Sequence, residues 1–413
     1  MKKRVVITGL GAITPVGNDV PGFWESLKEG KSGVGITKSF DATGFDSRIS
    51  AEIKDFDPAL YGISYKETKR TAKFVQFAIA AAKQAVDSSG LELEKEDRSR
   101  IGVLIGSGIG SLYTIEEEHK ILLNKGPSRL SPFLIPMLIV NEASGMVAIV
   151  HGLRGPNSCV ATACASGSHA IGEAYRTILY GDADIMLTGG TESCIVPTAV
   201  GGFCALRALS TRNDDPQAAS RPFDRDRDGF IMAEGCGLVV LETLEHAQKR
   251  NANIIAEITG FGMSCDAYHI TAPDPEGLGA AQAMTMALKD AQMNPQDVSY
   301  INAHGTSTKM NDKIETLSMK KAFGEYSKKL MVSSTKSVTG HLLGAAGGVE
   351  FVACCLAIRD GVVPPTINYK TPDPDCDLDY IPNAARKVNV TACMSNSLGF
   401  GGHNASLIVK KFK

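Results

Sequence analysis

Apolar runs of strand length recur along the chain: RVVITGLG (4–11), RIGVLIGSG (100–108), ADIMLTGG (183–190) and CGLVVLET (236–243). They alternate with helix-length stretches. Runs of this kind predict strands buried on both faces, the pattern of an α/β fold. FVQFAIAAAKQAVDSSG (74–90) carries helical apolar spacing and stops at glycine, which predicts a helix. The N-terminus, MKKRVVITGLG, is basic for only a few residues and breaks at glycine. It reads as a first strand rather than a signal peptide. Other apolar runs, such as FLIPMLIV (133–140), fall far below the roughly 18 residues of a membrane span.

The order of segments repeats. VVITGLGA (5–12) finds an echo in AEITGFGM (256–263). RIGVLIGSGIGS (100–111) corresponds to VSYINAHGTST (298–308), a strand running into a Gly/Ser/Thr loop. TACASGSHAIGEA (162–174) corresponds to KSVTGHLLGAAGGVE (336–350), a small-residue turn opening a helix. Two similar halves follow, 1–250 and 251–413, with a long insertion in the first. Packed about a pseudo-two-fold axis, such halves bring corresponding turns together at their junction.

Composition narrows the class. The 413 residues carry a net charge of -2, with 43% hydrophobic and 21% charged residues, as in an ordinary soluble protein. That balance carries no overall footprint for nucleic acid or a membrane surface. The 42 glycines point to tight turns and close backbone approach. Ten scattered cysteines point to a reduced, cytoplasmic setting rather than a disulfide framework.

Candidate chemistry centres on NSCVATACASGSHAIGEAYR (157–176). Cysteine is most often a buried structural residue. Cys164, however, lies among small residues where a helix opens, and a helix N-terminus lowers a thiol's pKa and stabilises an oxyanion. Cys159, five residues earlier, reads as core, and His169 as a bystander on the helix. In the second half, His304 ends a strand and His341 occupies the turn that corresponds to Cys164. Zinc is disfavoured, because Cys164, His304 and His341 include no closely paired ligands. A Cys–His hydrolase needs an orienting Asn or Asp. Two histidines with Lys336 nearby suggest instead the stabilisation of growing negative charge. The loop DRDRDGFIMAEG (224–235) imitates a calcium loop but has Gly235 where the bidentate acid belongs, so an internal Asp–Arg network is expected. GSGIGS (106–111) fails as a dinucleotide loop at Ser111.

Taken together, VVITGLGAITPVG, SRPFDRDRDGFIMAEG, ATACASGSHAIG, NAHGTSTKMNDKIET, STKSVTGHLLGAAGGVE and SNSLGFGGHNAS form a pattern. On these motifs the whole chain resembles the β-ketoacyl-acyl-carrier-protein synthases of the thiolase superfamily, most closely the synthase II type. The resemblance implies a duplicated thiolase-like fold with α-β-α-β-α layers. It implies an acyltransferase that condenses an acyl group with malonyl-carrier protein through an acyl-Cys intermediate, releasing carbon dioxide. Cys164 matches the nucleophile. His304 and His341 match the histidines that bind the malonyl thioester carbonyl. Lys336 matches a lysine that the family pairs with an acid, here Glu350. The backbone N–H groups of Cys164 and Phe400 match the oxyanion hole, and Phe400 also a gate. Thr306 and Thr308 match hydroxyls that hold the pantetheine arm. Ile109 and Phe203 match walls of the acyl pocket. Arg207 matches a carrier-docking arginine, and Lys66, Lys69, Arg70 and Arg212 are further candidates for a basic patch.

The expected partner is acyl carrier protein bearing acyl or malonyl phosphopantetheine, with a second copy of the chain making a homodimer. No cofactor and no metal are expected. Ala233, Lys309, Met310 and His403 depart from the family pattern without touching the proposed cluster. A polyketide-type or CoA-using condensing enzyme is the alternative activity. A silent chain-length-factor partner is the non-enzyme alternative, which the intact Cys164, His304, His341 and Lys336 oppose.

Overall fold

The computed structural model describes residues 3–413. Ten strands form one sheet: β1 (Val5–Ile13), β2 (Ile101–Gly106), β3 (Asn157–Ser158), β4 (Ile185–Glu192), β5 (Gly235–Thr243), β6 (Ala256–Cys265), β7 (Tyr300–Asn302), β8 (Met331–Ser333), β9 (Ala392–Gly399) and β10 (His403–Lys410). Their spatial order is β3-β2-β4-β5-β1-β6-β10-β9-β7-β8. Each strand of the first half has its counterpart five strands later, at the mirrored position. Directions match as well: β4–β2–β3 and β9–β7–β8 are parallel, while β1–β5–β4 and β6–β10–β9 are antiparallel. The repeat seen in the sequence is therefore a repeat of topology. The two half-sheets join along a short antiparallel seam in which Val5, Val6 and Ile7 face Ile258, Glu257 and Ala256.

Five helices complete the layers: α1 (Lys73–Ser89), α2 (Ser166–Tyr180), α3 (Leu278–Ala291), α4 (Lys309–Phe323) and α5 (Ala346–Asp360). α1 covers β1 and β5, and α3 covers β6 and β10. α2 and α5 pack on each other and on strands of both halves, which makes them the middle layer. This placement explains their composition. Every residue of α5 from Ala346 to Ile358 is buried, so the helix is apolar on every face apart from Glu350 rather than amphipathic.

The repeated TGLG and TGFG segments have a packing cause. A Cβ at Gly9 or Gly11 would come within 2.0 or 1.9 Å of the Ala85 or Ala81 carbonyl oxygen of α1. Gly260 and Gly262 stand in the same relation to Ala287 and Ala283 of α3, at 2.4 and 2.0 Å. Each outer helix lies flush on its strand because that strand has no side chains there.

The small-residue turns of the middle layer have a second cause beyond access to Cys164. Gly167 of α2 abuts Gly348 of α5, with only 2.8 Å between its Cβ position and the Gly348 nitrogen. A Cβ on Gly348 would in turn sit 2.3 Å from the Gly237 carbonyl. A methyl at such a contact displaces backbone, and overpacking of this kind costs about 1–3 kcal/mol. The two helices therefore cross at backbone contact, with their N-terminal turns on the junction between halves.

Candidate active site

A cavity of about 360 Å³ opens at that junction, lined by Cys164, His304, His341, Thr306, Thr308 and Phe400, with Phe203 and Arg207 also in its wall. One thiol from the first half thus meets two histidines from the second.

Cys164 occupies a tight turn just before α2. Ala163 adopts φ 50°, and Leu343, in the corresponding turn before α5, also adopts φ 50°. Left-handed backbone at a non-glycine costs on the order of 1 kcal/mol or more, so the surrounding bonds must hold it. They do: the Thr162 N–H donates to Ser166 Oγ (2.9 Å), and the Ala165 N–H donates to the Thr162 carbonyl (3.1 Å). His169 is no bystander. Its Nδ1 lies 2.9 Å from Thr162 Oγ1, bracing the turn from inside the helix. Burial pushes the Cys164 thiol up to about 12, the Lys336 charge pulls it down, and Glu192 and Glu350 push it further up. The resting residue is a thiol.

The histidines are neutral. Burial and the Lys336 charge hold both well below their ordinary value. Their rings stand edge to face, 5.2 Å apart. His341 Nδ1 accepts the Leu343 N–H at 3.3 Å, which leaves the ring proton on Nε2. Lys336 Nζ faces His304 Nδ1 at 3.4 Å and assigns the same tautomer there. Lys336 is 1% exposed and is paired with Glu350. The His304 turn is fixed by Glu315, whose carboxylate accepts the N–H groups of His304 and Gly305, both at 2.8 Å. Burial raises Glu192, Glu315 and Glu350 alike, each to about 7.

The other expected residues divide. Thr306 and Thr308 share a hydroxyl contact of 2.9 Å beside the cavity. Phe400 is 36% exposed, with its ring 6.4 Å from Phe203. Its loop carries successive left-handed glycines, Gly401 (φ 84°) and Gly402 (φ 74°), a path closed to most side chains. Ile109 belongs to the apolar cluster that contains Cys164, Phe203 and Leu343, just behind the cavity lining. Lys69 and Arg70 follow the short helix Tyr65–Thr68, where Lys69 lies over Tyr65 and Arg70 over Phe133. They do not line the cavity that holds Arg207.

The Asp–Arg network is present. Arg227 is 2% exposed and donates to the carbonyls of Asp224 (2.8 Å), Thr308 (3.0 Å) and Lys309 (2.9 Å) and to Asp373 (2.5 Å). Cys159, expected in the core, is half-buried instead, because β3 is a two-residue strand at the sheet's outer edge. Sequence reading overlooked Glu192, Glu315, Asp266 and Asn404. Asn404 Nδ2 donates to Asp266 Oδ1 (2.7 Å), and the Asp266 N–H donates to the Gly402 carbonyl (2.9 Å), which ties down the Phe400 loop.

Lys336 is the cation that favours the Cys164 thiolate, and its effect outweighs that of Glu350. Lys336→Met is expected to raise the thiol pKa, so alkylation of Cys164 by iodoacetamide at any fixed pH below it slows, about tenfold per pKa unit. Mass spectrometry of the Cys164 peptide across pH checks this. An unchanged or faster rate would remove Lys336 from control of the thiol.

Known proteins with this arrangement are numerous. Residues 2–247 match the profile of the beta-ketoacyl synthase N-terminal domain, and residues 255–370 that of the C-terminal domain. The 3-oxoacyl-[acyl-carrier-protein] synthase 2 of Synechocystis sp. is 53% identical over 412 residues, covering 100% of this chain and 99% of its own. Its namesake from Coxiella burnetii is 54% identical over 410 residues, covering 99% of each. Among solved structures, a beta-ketoacyl synthase from Burkholderia phymatum superposes with TM-score 0.93 at 36% identity, over 100% of both chains. A ketosynthase bound to a hexaketide, in complex with its type II PKS acyl-carrier protein, gives TM-score 0.93 at 39% identity, again over 100% of both. With the mirrored sheet, the Cys–His–His cavity and matches along most of its length, the chain belongs to the β-ketoacyl synthase family.

Proposed function

We propose that the protein elongates acyl chains on acyl carrier protein by decarboxylative condensation with malonyl-carrier protein. The observation that carries this reading is the pair of neutral histidines, each with its proton on Nε2, beside one thiol in a single cavity.

The thiol first accepts the acyl group. Cys164 Sγ attacks the thioester carbonyl, its proton leaves with the departing carrier thiolate, and a Cys164 thioester forms. The α2 N-terminus favours negative charge at that position. The oxyanion of this step is assigned to the backbone N–H groups of Cys164 and Phe400. Malonyl thioester then binds with its carbonyl oxygen between His304 and His341. Loss of carbon dioxide leaves an enolate, and the two Nε2–H groups stabilise the charge that develops on its oxygen. The enolate carbon attacks the acyl-Cys164 carbonyl, and the thiolate leaves and takes up a proton, which restores the thiol. Because neither histidine is charged beforehand, their donation is worth most where charge appears. Thr306 and Thr308 hold the pantetheine arm, and Ile109 and Phe203 wall the acyl chain.

Elongation of fatty acyl chains is favoured over polyketide assembly by likeness. The relatives at 53% and 54% identity are named synthase 2, while the polyketide ketosynthase stands at 39%. The division into halves 1–250 and 251–413 belongs to the same reading and is supported by the strand order. Arg207, exposed at the cavity, is read as a contact for the acidic carrier, with Lys69 and Arg70 farther out. No helix among the described residues is long and apolar enough to cross a membrane. We place the enzyme in the cytoplasm and read it as a homodimer. The second copy is supported by the outer edge strand β3 and by the neighbouring exposed Ile149 (70%) and Val150 (47%).

Cys164→Ala is expected to abolish the acyl-enzyme seen by intact-mass spectrometry, and an acyl adduct elsewhere would overturn the nucleophile. His304→Ala and His341→Ala are expected to keep acylation while condensation falls about a hundredfold or more, the scale of a lost oxyanion donor. Unchanged condensation would remove them from the step. Arg207→Glu is expected to raise KM for carrier-borne substrate with little change in kcat; an unmoved KM ends that docking role. Sedimentation equilibrium is expected to report twice the chain mass, and a monomer at working concentration rejects the dimer.

A further inference from the structure

Glu192 ends β4 and is fully buried. Its carboxylate takes four hydrogen bonds, none from a cation. Ser107 Oγ (2.9 Å) and the Ile109 N–H (3.3 Å) donate to Oε1. The N–H groups of Gly108 (2.8 Å) and Gly344 (3.2 Å) donate to Oε2. Three of these donors lie on the loop after β2, in the first half. The fourth lies in the turn before α5, in the second half. No side chain fits between them: a Cβ on Gly344 would approach the Gly108 nitrogen at 2.4 Å and Glu192 Oε2 at 2.5 Å.

The two clamped segments carry Ile109 and Leu343. Both pack in the apolar cluster that holds Cys164 and Phe203. Two segments that contribute to the apolar cluster around Cys164 are thus suspended from one carboxylate. We propose that Glu192 is a positioning residue for acyl-chain selection: it fixes the backbones that carry Ile109 and Leu343, and so sets the depth of the acyl pocket. This rests on the acyl-pocket reading of Ile109 above.

The chemistry of the clamp makes the test specific. A carboxylate offers acceptors at both oxygens. Glutamine has the same shape but accepts at one oxygen only, and its amide group faces two donors on the other side. Glu192→Gln therefore keeps one pair of bonds and breaks the other. Ser107→Ala removes a single donor and is the milder variant. The readout is the ratio of kcat/KM for octanoyl- against hexadecanoyl-carrier protein, with malonyl-carrier protein as extender. A variant that merely unfolds part of the protein lowers both values together and leaves the ratio alone. The ratio is expected to move toward one by about tenfold in Glu192→Gln, the scale on which apolar pockets discriminate chains, and by less in Ser107→Ala. A ratio within about twofold of the parent in folded Glu192→Gln overturns the proposal. If that variant does not fold, an unmoved ratio in Ser107→Ala overturns it. Failure of the parent protein to form acyl-Cys164 with either primer sinks the condensing reading instead, so the two failures are distinct.

Discussion

The crossing of α2 and α5 at backbone contact is the constraint on which the site depends. Each helix starts at the junction, and the turn before each presents a reactive group, Cys164 in one and His341 in the other. Were the crossing wider by the width of a side chain, the thiol and the imidazole would sit on separate surfaces. Gly167, whose Cβ would meet Gly348, and Gly347, whose Cβ would meet Ser168, keep it narrow. The same closeness excludes water, and so explains why the groups nearby depart so far from their ordinary ionisation. Packing here comes first, and the electrostatics follow from it.

Those electrostatics are sparing. One buried lysine acts on two buried carboxyls, Glu350 and Glu315, and on two imidazoles. Lys336 is paired with Glu350; its charge adds to the burial that keeps His304 and His341 uncharged, and partly offsets the burial that raises the Cys164 thiol. Glu192 and Glu315 are satisfied by backbone N–H groups instead of cations. This division suits the proposed chemistry. The negative charges that this chemistry forms in the cavity are transient, and the donors assigned to the oxyanion and the enolate are neutral dipoles already in place.

Much of this was legible in the chain. The TGLG/TGFG echo, the strands running into Gly/Ser/Thr loops and the small-residue turns mapped onto counterpart elements of the mirrored sheet. They did so because each pair answers the same packing demand at the same place. Cys164, His304, His341, Thr306, Thr308 and Phe400 line one cavity, as the motifs implied. What stayed hidden were groups whose role depends on through-space partners. Glu192 reads as an acid at the end of an apolar run, and nothing near it in sequence names Gly344, 152 residues away. Asp266 with Asn404 has the same character. His169 looked idle because its partner, Thr162, sits before the helix in which the histidine is embedded. Cys159 was misread because strand length, unlike apolarity, is set by what pairs with it.

The seam between the half-sheets is only three residue pairs long, and it joins the start of the chain to its middle. Arg4 reinforces it with two hydrogen bonds to Glu257, at 2.8 and 2.6 Å. Strand β10, which ends three residues before the C-terminus, then closes on β6. Contacts of such long sequence separation form late in folding, after loop-closure entropy has been overcome. Cys164 is therefore synthesised well before His304 and His341, and the α2 that follows it lacks its packing partner α5 until the second half is made. A partly made chain carries the cysteine without the two histidines, and the cavity that holds all three is complete only once the second half has closed on the first.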